Sequence, residues 1–163
     1  MLSLIVAFDE NYGIGYDGWM PWHLPEDLKQ FKQRTLNHKI VMGKSTFLAI
    51  GKALPNRTTY VVTHDNKFHD KFPTVEVIHD LTLFLRGHEF DAEEIFICGG
   101  ASIYAQALPY CSQLIISEVK GVFPADTHFP TIESACYEEI ENQEFEGFTL
   151  KVLKRKATYV ESI

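Results

Sequence analysis

Cysteine is scarce in this chain: Cys98, Cys111 and Cys136 are the only three, an odd number with no C-x-x-C pair. That count excludes a disulfide framework as the basis of the fold and suits a reducing compartment. Nothing near the start resembles a secretory leader, so the expected location is the cytoplasm. Long apolar runs are missing as well. The longest near the start, residues 4–8, has the length of a strand and falls far short of a membrane span. Positive charge is in deficit, with 15 Lys and Arg against 22 Asp and Glu and a formal net charge of −7. A net anion is not drawn to nucleic acid or to a membrane surface, so neither is an expected partner. Repeats, linkers and low-complexity tracts are absent, which leaves a folded domain with a small-molecule site. An anionic ligand remains possible where basic side chains gather locally.

What is present fits one domain over residues 1–163, with 45% hydrophobic and 23% charged residues. A chain of this size buries roughly 70% of its unfolded surface, enough to hold a cleft without staples. Apolar, β-rich runs predict strands over 2–8, 39–43, 59–63, 74–78, 94–98 and 114–119, with a last run over 149–160. Helical patterns flanked by caps or breakers cover 25–35, 45–50, 81–85 and 101–107. Strand alternating with helix predicts a mostly parallel sheet, and the two long β runs at the end predict an antiparallel hairpin. The polar stretch 64–73 reads as a loop, and the acidic run 138–146 as a solvated strand face.

Two familiar motifs fail in context. Gly13-Ile14-Gly15-Tyr16-Asp17-Gly18 fits G-x-G-x-x-G, but Pro21 follows where that fingerprint needs a helix, so a flexible glycine loop is expected. Gly43-Lys44-Ser45-Thr46 resembles the end of a P-loop, yet His38 stands where the first glycine belongs. Nucleotide hydrolysis is thereby excluded, whereas anion binding by Lys44 and local N–H groups is kept. The seven histidines show no metal-ligand spacing, and no metal is expected.

Chemistry concentrates in Pro21-Trp22-His23-Leu24-Pro25-Glu26-Asp27-Leu28-Lys29-Gln30-Phe31-Lys32. Pro25 suits the first helical position, which puts Asp27 in the first turn, where the helix dipole favours a carboxylate. The plain reading stops there. Trp22, Leu28 and Phe31 add another, because one acid among large apolar side chains suits recognition of a flat, nitrogen-rich ring. A second signal is Ile95-Phe96-Ile97-Cys98-Gly99-Gly100-Ala101-Ser102-Ile103-Tyr104, a buried strand running through Gly-Gly into a helix. With Gly43 to Thr46 it supplies a second glycine turn at a strand's carboxyl end, where open α/β sheets bind ligands. The pair points to a pyrophosphate-bearing cofactor.

In these residues the chain resembles the dihydrofolate reductases. Ile14-Gly15 with Met20-Pro21-Trp22, Leu24-Pro25-x-Asp27-Leu28-x-x-Phe31-Lys32, Met42-Gly43-Lys44-x-Thr46, Leu54-Pro55-Asn56-Arg57, Gly99-Gly100 with Ile103-Tyr104, and Asp126-Thr127-His128-Phe129-Pro130 stand in family order. The likeness runs from residue 2 to about 160. It implies an eight-stranded, mostly parallel sheet with four flanking helices, NADPH as cofactor, and reduction of 7,8-dihydrofolate to tetrahydrofolate for one-carbon metabolism. It also implies antifolate inhibitors as ligands and a monomer.

By the same resemblance Asp27 anchors the pterin and promotes protonation of its imine nitrogen, with Trp22, Tyr104 and Ser117 as its catalytic neighbours. Ser117 matches the family's serine or threonine bonded to the acid. Burial against Trp22, Leu28 and Phe31 should raise the carboxyl above its ordinary value near 3.9. Ile5 and Cys98 would offer strand carbonyls to the ring. Arg57 would fork onto the substrate's α-carboxylate, with Lys32 and Lys52 near the outer glutamate. Gly43, Lys44, Ser45 and Thr46 would bracket the cofactor pyrophosphate with Gly99, Gly100, Ala101, Ser102 and Ile103. Lys44, Thr63 and His64 would surround the ribose 2′-phosphate, and Ala7, Ile14, Gly15 and Met20 complete the implied cofactor contacts. Residues 9–24 would form a mobile lid, latched by the Asp126 carboxylate on N–H groups near residues 15–17. Ser102 departs from the basic residue many bacterial members carry, which leaves the 2′-phosphate fewer cationic partners. Two other readings compete: a riboflavin-pathway type of reductase, which would not need both Asp27 and Arg57, and a non-catalytic nucleotide-binding module, which would not need Asp27.

Overall fold

Alternate residues on a strand face opposite sides of a sheet, and this period divides the apolar side chains into two cores. The computed structural model describes residues 1–15 and 20–156. Its elements run β1 (Leu2–Phe8), β2 (Gly13–Gly15), α1 (Pro25–Thr35), β3 (Lys39–Gly43), α2 (Lys44–Ile50), β4 (Thr58–Val62), α3 (Phe68–Lys71) and β5 (Glu76–Ile78). There follow α4 (Leu81–His88), β6 (Ile95–Ile97), α5 (Ala101–Ala107), β7 (Gln113–Val119), β8 (Thr127–His128), β9 (Tyr137–Phe145) and β10 (Phe148–Arg155). Eight strands form one sheet in the order β5-β4-β3-β6-β1-β7-β10-β9. Pairing is parallel from β5 through to β7, and the final hairpin adds β10 and β9 antiparallel.

On one face Leu2, Leu4 and Val6 of β1, Ile95 and Ile97 of β6, and Leu114 and Ile116 of β7 pack under Leu81 and Leu85 of α4 and Ile103 and Ala107 of α5. The intervening residues Ile5, Phe96 and Ile115 join Ile40, Met42 and Val152 on the other face, under Phe47 of α2. Trp22, Leu24 and Phe31, from α1 and the segment before it, close that second core. Helix α1 begins where expected, with Pro25 in its first turn beside Glu26 and Asp27, and with Lys32 and Arg34 in its last turn. Both charge placements complement the helix dipole.

Strand β6 enters the sheet between β3 and β1, although the chain has already laid down β3, β4 and β5 to one side. Open α/β sheets take ligands at such a switch point. The turns after β3 and β6 are thereby adjacent.

Three features differ from the sequence reading. The expected loop 64–73 contains α3, whose Phe68 is buried with its ring 5.7 Å from Phe47 and 4.9 Å from Phe72. Phe68 and Phe72 stand four apart, the spacing of one helical face, but a single such pair in a polar stretch is too short a pattern to mark a helix. Gly13 to Gly15, read as part of a flexible loop, instead form β2, paired with β8 in a second, two-stranded sheet. A Cβ at Gly13 would lie 2.7 Å from the Ala125 Cβ and 3.1 Å from an Asp9 carboxylate oxygen, so close approach requires the glycine here. Asp9, only 3% exposed, accepts N–H bonds from Asn11 and Gly13 on one oxygen and from Phe123 on the other. The last strand ends at Arg155, and the part of its predicted span over 157–160 lies outside the described residues. Strand β9 carries the acidic run, exposed throughout from Glu138 to Glu144. Among the described residues, no helix is long and apolar enough to cross a membrane.

Candidate active site

Asp27 stands in the first turn of α1, over the second core, and accepts a hydrogen bond of 2.6 Å from the Ser117 Oγ of β7. Ser117 is buried opposite Ala7 of β1 in the parallel register. One acid is thus tied to the middle of the sheet. Burial raises the Asp27 carboxyl above its usual range, and the Ser117 bond only partly offsets that rise. A cleft of about 340 Å³ opens beside it, lined by Met20, Trp22, His23, Leu24, Asp27 and Leu28. Leu28 is 50% exposed, so it borders the mouth and does not cover the acid as the sequence reading had it. The Trp22 ring packs edge-on against Phe123, while its buried Nε1 has no hydrogen-bond partner among the described residues. An acceptor-rich carboxyl and an unpaired donor therefore share one wall.

Beneath the cleft, the Tyr104 hydroxyl donates to the Ile5 carbonyl at 2.8 Å. Burial holds this phenol well above its ordinary value, aided by Cys98 and Asp27, so it serves as a donor. Burial also pushes the Cys98 thiol up to about 12, which makes it a neutral packing group against the second core and not a nucleophile.

Arg57 precedes β4, and its guanidinium is held from two sides. Nε donates to the Pro55 carbonyl at 3.0 Å and NH1 to the Thr35 hydroxyl at 3.2 Å. Thr35, fully buried at the end of α1, itself donates to the Phe31 carbonyl at 2.7 Å. Sequence reasoning missed Thr35. Its signal was a threonine four residues after Phe31 at a helix end, the spacing for a bond back to the preceding turn. Next to Arg57 lies a polar depression of about 400 Å³, lined by Asn37, Asn56, Arg57 and Thr58. Lys32 and Lys52 are exposed, and their side chains carry no hydrogen bond or ion pair among the described residues.

The two glycine turns meet. Gly43 N–H donates to the Gly99 carbonyl at 2.8 Å, and Gly99 adopts φ +110°, a conformation that favours glycine. A Cβ at Gly43 would lie 3.2 Å from Ile103, and one at Gly100 would lie 3.3 Å from the Thr46 hydroxyl. Neither α2 nor α5 has a side-chain cap at its N-terminus. Ser45 and Ser102 are exposed, and the Ser102 Oγ accepts from Gln106 at 2.9 Å. Thr63, after β4, is buried, whereas His64 is exposed. The Thr63 carbonyl accepts from His79 Nδ1 at 2.8 Å, and Lys44 lies 3.6 Å from Asp65. Asp65 and His79 did not enter the sequence reading, because neither belongs to a motif.

Ile14 packs partly buried against the first core, and Met20 is 48% exposed at the cleft. Asp126 N–H donates to the Gly15 carbonyl at 2.9 Å, and the Thr127 hydroxyl donates to the same oxygen at 3.3 Å. The lid and latch expectations involve residues 16–19, which lie outside the described residues.

A mostly parallel open sheet with a half-buried acid and two touching glycine turns at its switch point is the architecture of an α/β enzyme for small ligands. The family model described as dihydrofolate reductase matches residues 1–158. The chain is 37% identical over 146 residues to the dihydrofolate reductase of Bacillus subtilis, covering 88% of this chain and 84% of that one. It is 39% identical over 141 residues to the type 3 dihydrofolate reductase of Salmonella typhimurium, covering 86% and 85%. Among solved structures, the Enterococcus faecalis dihydrofolate reductase complexed with NADP(H) and RAB-propyl superposes with a TM-score of 0.85. That pair is 32% identical, over 96% of each chain. The chain belongs to the dihydrofolate reductase family, which are enzymes of the oxidoreductase class.

Proposed function

We propose that this enzyme reduces 7,8-dihydrofolate to 5,6,7,8-tetrahydrofolate with NADPH and so supplies one-carbon metabolism. The observation that carries the reading is the Asp27–Ser117 pair, a carboxyl raised by burial at the wall of an apolar-lined cleft. When bound, the reduced nicotinamide supplies a hydride to the carbon beside the pterin imine nitrogen. Asp27 would hold the ring by paired hydrogen bonds and favour protonation at that nitrogen, because its raised carboxyl keeps a proton within reach at higher pH. The unpaired Trp22 N–H offers a donor that a water or the ligand itself can use. Ile5 and Cys98 would present strand carbonyls, with the Tyr104 hydroxyl fixing Ile5. Leu28 and Phe31 would face the middle of the substrate, while Arg57 would take the α-carboxylate and Lys32 and Lys52 the outer acid.

The cofactor fits the residues present. Gly43 and Gly100 each leave a space that a Cβ would fill, between two helix starts that no side chain caps. Gly43 to Thr46 and Gly99 to Ile103 would hold the pyrophosphate, and Lys44, Thr63 and His64 the 2′-phosphate. Ala7, Ile14, Gly15 and Met20 would line the nicotinamide end. Residues 1–163 would act as one domain and as a monomer in the cytoplasm, with antifolates as competing ligands. Loss of nicotinamide absorbance on mixing the protein with dihydrofolate and NADPH tests the reading. No turnover with this pair, alongside turnover of a pterin or pyrimidine lacking the glutamate tail, would overturn it.

A further inference from the structure

Lys44 is the cation expected to meet a 2′-phosphate, yet it is already engaged. Its Nζ lies 3.6 Å from Asp65 Oδ2, and Lys71 approaches the same oxygen at 3.9 Å. The other oxygen, Oδ1, accepts the Lys67 N–H at 3.0 Å, and the Asp65 N–H donates to the Thr63 hydroxyl at 3.1 Å. The turn after β4 therefore fixes one carboxylate oxygen and the backbone of Asp65 itself. The Asp65 side chain is 26% exposed, against 43% for Lys44, so the lysine is the more accessible partner. The Lys67 N–H, then the neighbouring lysines, hold Asp65 below the usual carboxylate range, which keeps it ionised at working pH. Lys44 also lies over the Phe68 ring at 5.9 Å. Nearby, Ser102 brings no charge and its hydroxyl is engaged by Gln106.

We propose that Asp65 is the residue that limits this enzyme's preference for the 2′-phosphorylated dinucleotide over the unphosphorylated one, by holding Lys44 in an internal ion pair. The inference rests on the reading of Lys44 as the partner of the 2′-phosphate. A dianionic phosphate meets a Lys44 already paired with a carboxylate that Lys71 and the Lys67 N–H also hold, and must share the lysine with that anion. A ribose bearing only a 2′-hydroxyl meets no such opposition, since a hydroxyl can donate to a carboxylate. Asp65 thus acts as a positioning residue through Lys44.

Binding of NADPH and of NADH, each measured by isothermal titration calorimetry without substrate, separates the possibilities. The proteins needed are the parent, Asp65→Asn, Asp65→Ser, Lys44→Ala and the Lys44→Ala, Asp65→Asn double variant. Asn and Ser both keep an oxygen for the Lys67 N–H, so the turn has its acceptor in either. Removing the charge should tighten NADPH by about three- to tenfold and leave NADH within about twofold, as expected for a half-exposed pair. In the Lys44→Ala background the same change should move the NADPH-to-NADH ratio by less than about twofold. An unchanged ratio in Asp65→Asn and Asp65→Ser, with the ratio collapsed in Lys44→Ala, would overturn the role of Asp65 and leave that of Lys44 intact. An equal rise with and without Lys44 would refute action through the lysine. Equal weakening of both cofactors by Lys44→Ala would instead refute the assignment of Lys44 to the 2′-phosphate.

Discussion

Thr35 and Arg57 illustrate how a polar contact is built from a buried helix end. The Thr35 hydroxyl gives its proton to the Phe31 carbonyl and accepts from the guanidinium, so one side chain fixes the arginine to α1. Thr35→Val keeps the shape and removes both bonds. It should raise KM for dihydrofolate about tenfold with kcat little changed, because a misplaced guanidinium loses a charge-assisted bond worth about 1.5–3 kcal/mol. Steady-state kinetics with a truncated substrate lacking the glutamate checks the assignment. That substrate should not distinguish Thr35→Val from the parent, and an equal loss with both substrates would place the effect on the ring end of the cleft.

At the scale of elements, β2, the partner of β8, is held to the segment around Phe123 by the Asp9 carboxylate and by a glycine with no room for a side chain. Gly13→Ala must push against the Ala125 Cβ and the Asp9 oxygens, and should cost about 1–3 kcal/mol of stability, the usual range for overpacking. Urea unfolding measures it, and a midpoint equal to the parent's would show that the segment yields freely. The same elements show what a sequence can and cannot convey. The starts of α1, β3 and α5 were legible because Pro25, the apolar run from Ile40 and Gly99-Gly100 are local signals. Asp27 was legible because its apolar neighbours Trp22, Leu28 and Phe31 lie within five residues of it. The Asp27–Ser117 bond was reachable only through family likeness, since it joins residues 90 apart. Strand β2 has three residues and α3 four, too few to display a period. Asp65 is visible only once β4 and α2 are side by side.

For the whole molecule, the two carboxyls tied to the sheet pull the pH dependence in opposite directions. Burial acts to raise the Asp9 carboxyl, but the Phe123, Gly13 and Asn11 N–H groups, helped by His128, outweigh it and hold it below its ordinary value. A lowered carboxyl stabilises the fold above its unfolded value near 3.9, and that stability is lost as pH falls through the folded value. Asp9→Asn should therefore lower the melting temperature at neutral pH and flatten its decline in acid. An acid limb identical to the parent's would assign acid unfolding to other carboxylates. Asp27 has the reverse sign: its raised carboxyl gives most stability below the unfolded value, and loses it as pH rises through the folded one. Replacing it by the neutral isostere should leave the protein as stable or more so at neutral pH, which would mark the acid as kept for chemistry at some cost to the fold.

That expectation leads to the most direct test, pre-steady-state hydride transfer measured across pH for the parent and for Asp27→Asn, each with dihydrofolate and NADPH. In the parent, the rate should fall as pH rises through the raised value of Asp27, since the proton it favours is then withdrawn. In the variant, the rate at neutral pH should drop by about a hundredfold or more, the range for loss of a positioned acid, and that titration should vanish while NADPH binds as before. A variant within about threefold of the parent, or one that keeps the parent's pH profile, would remove Asp27 from the proton step.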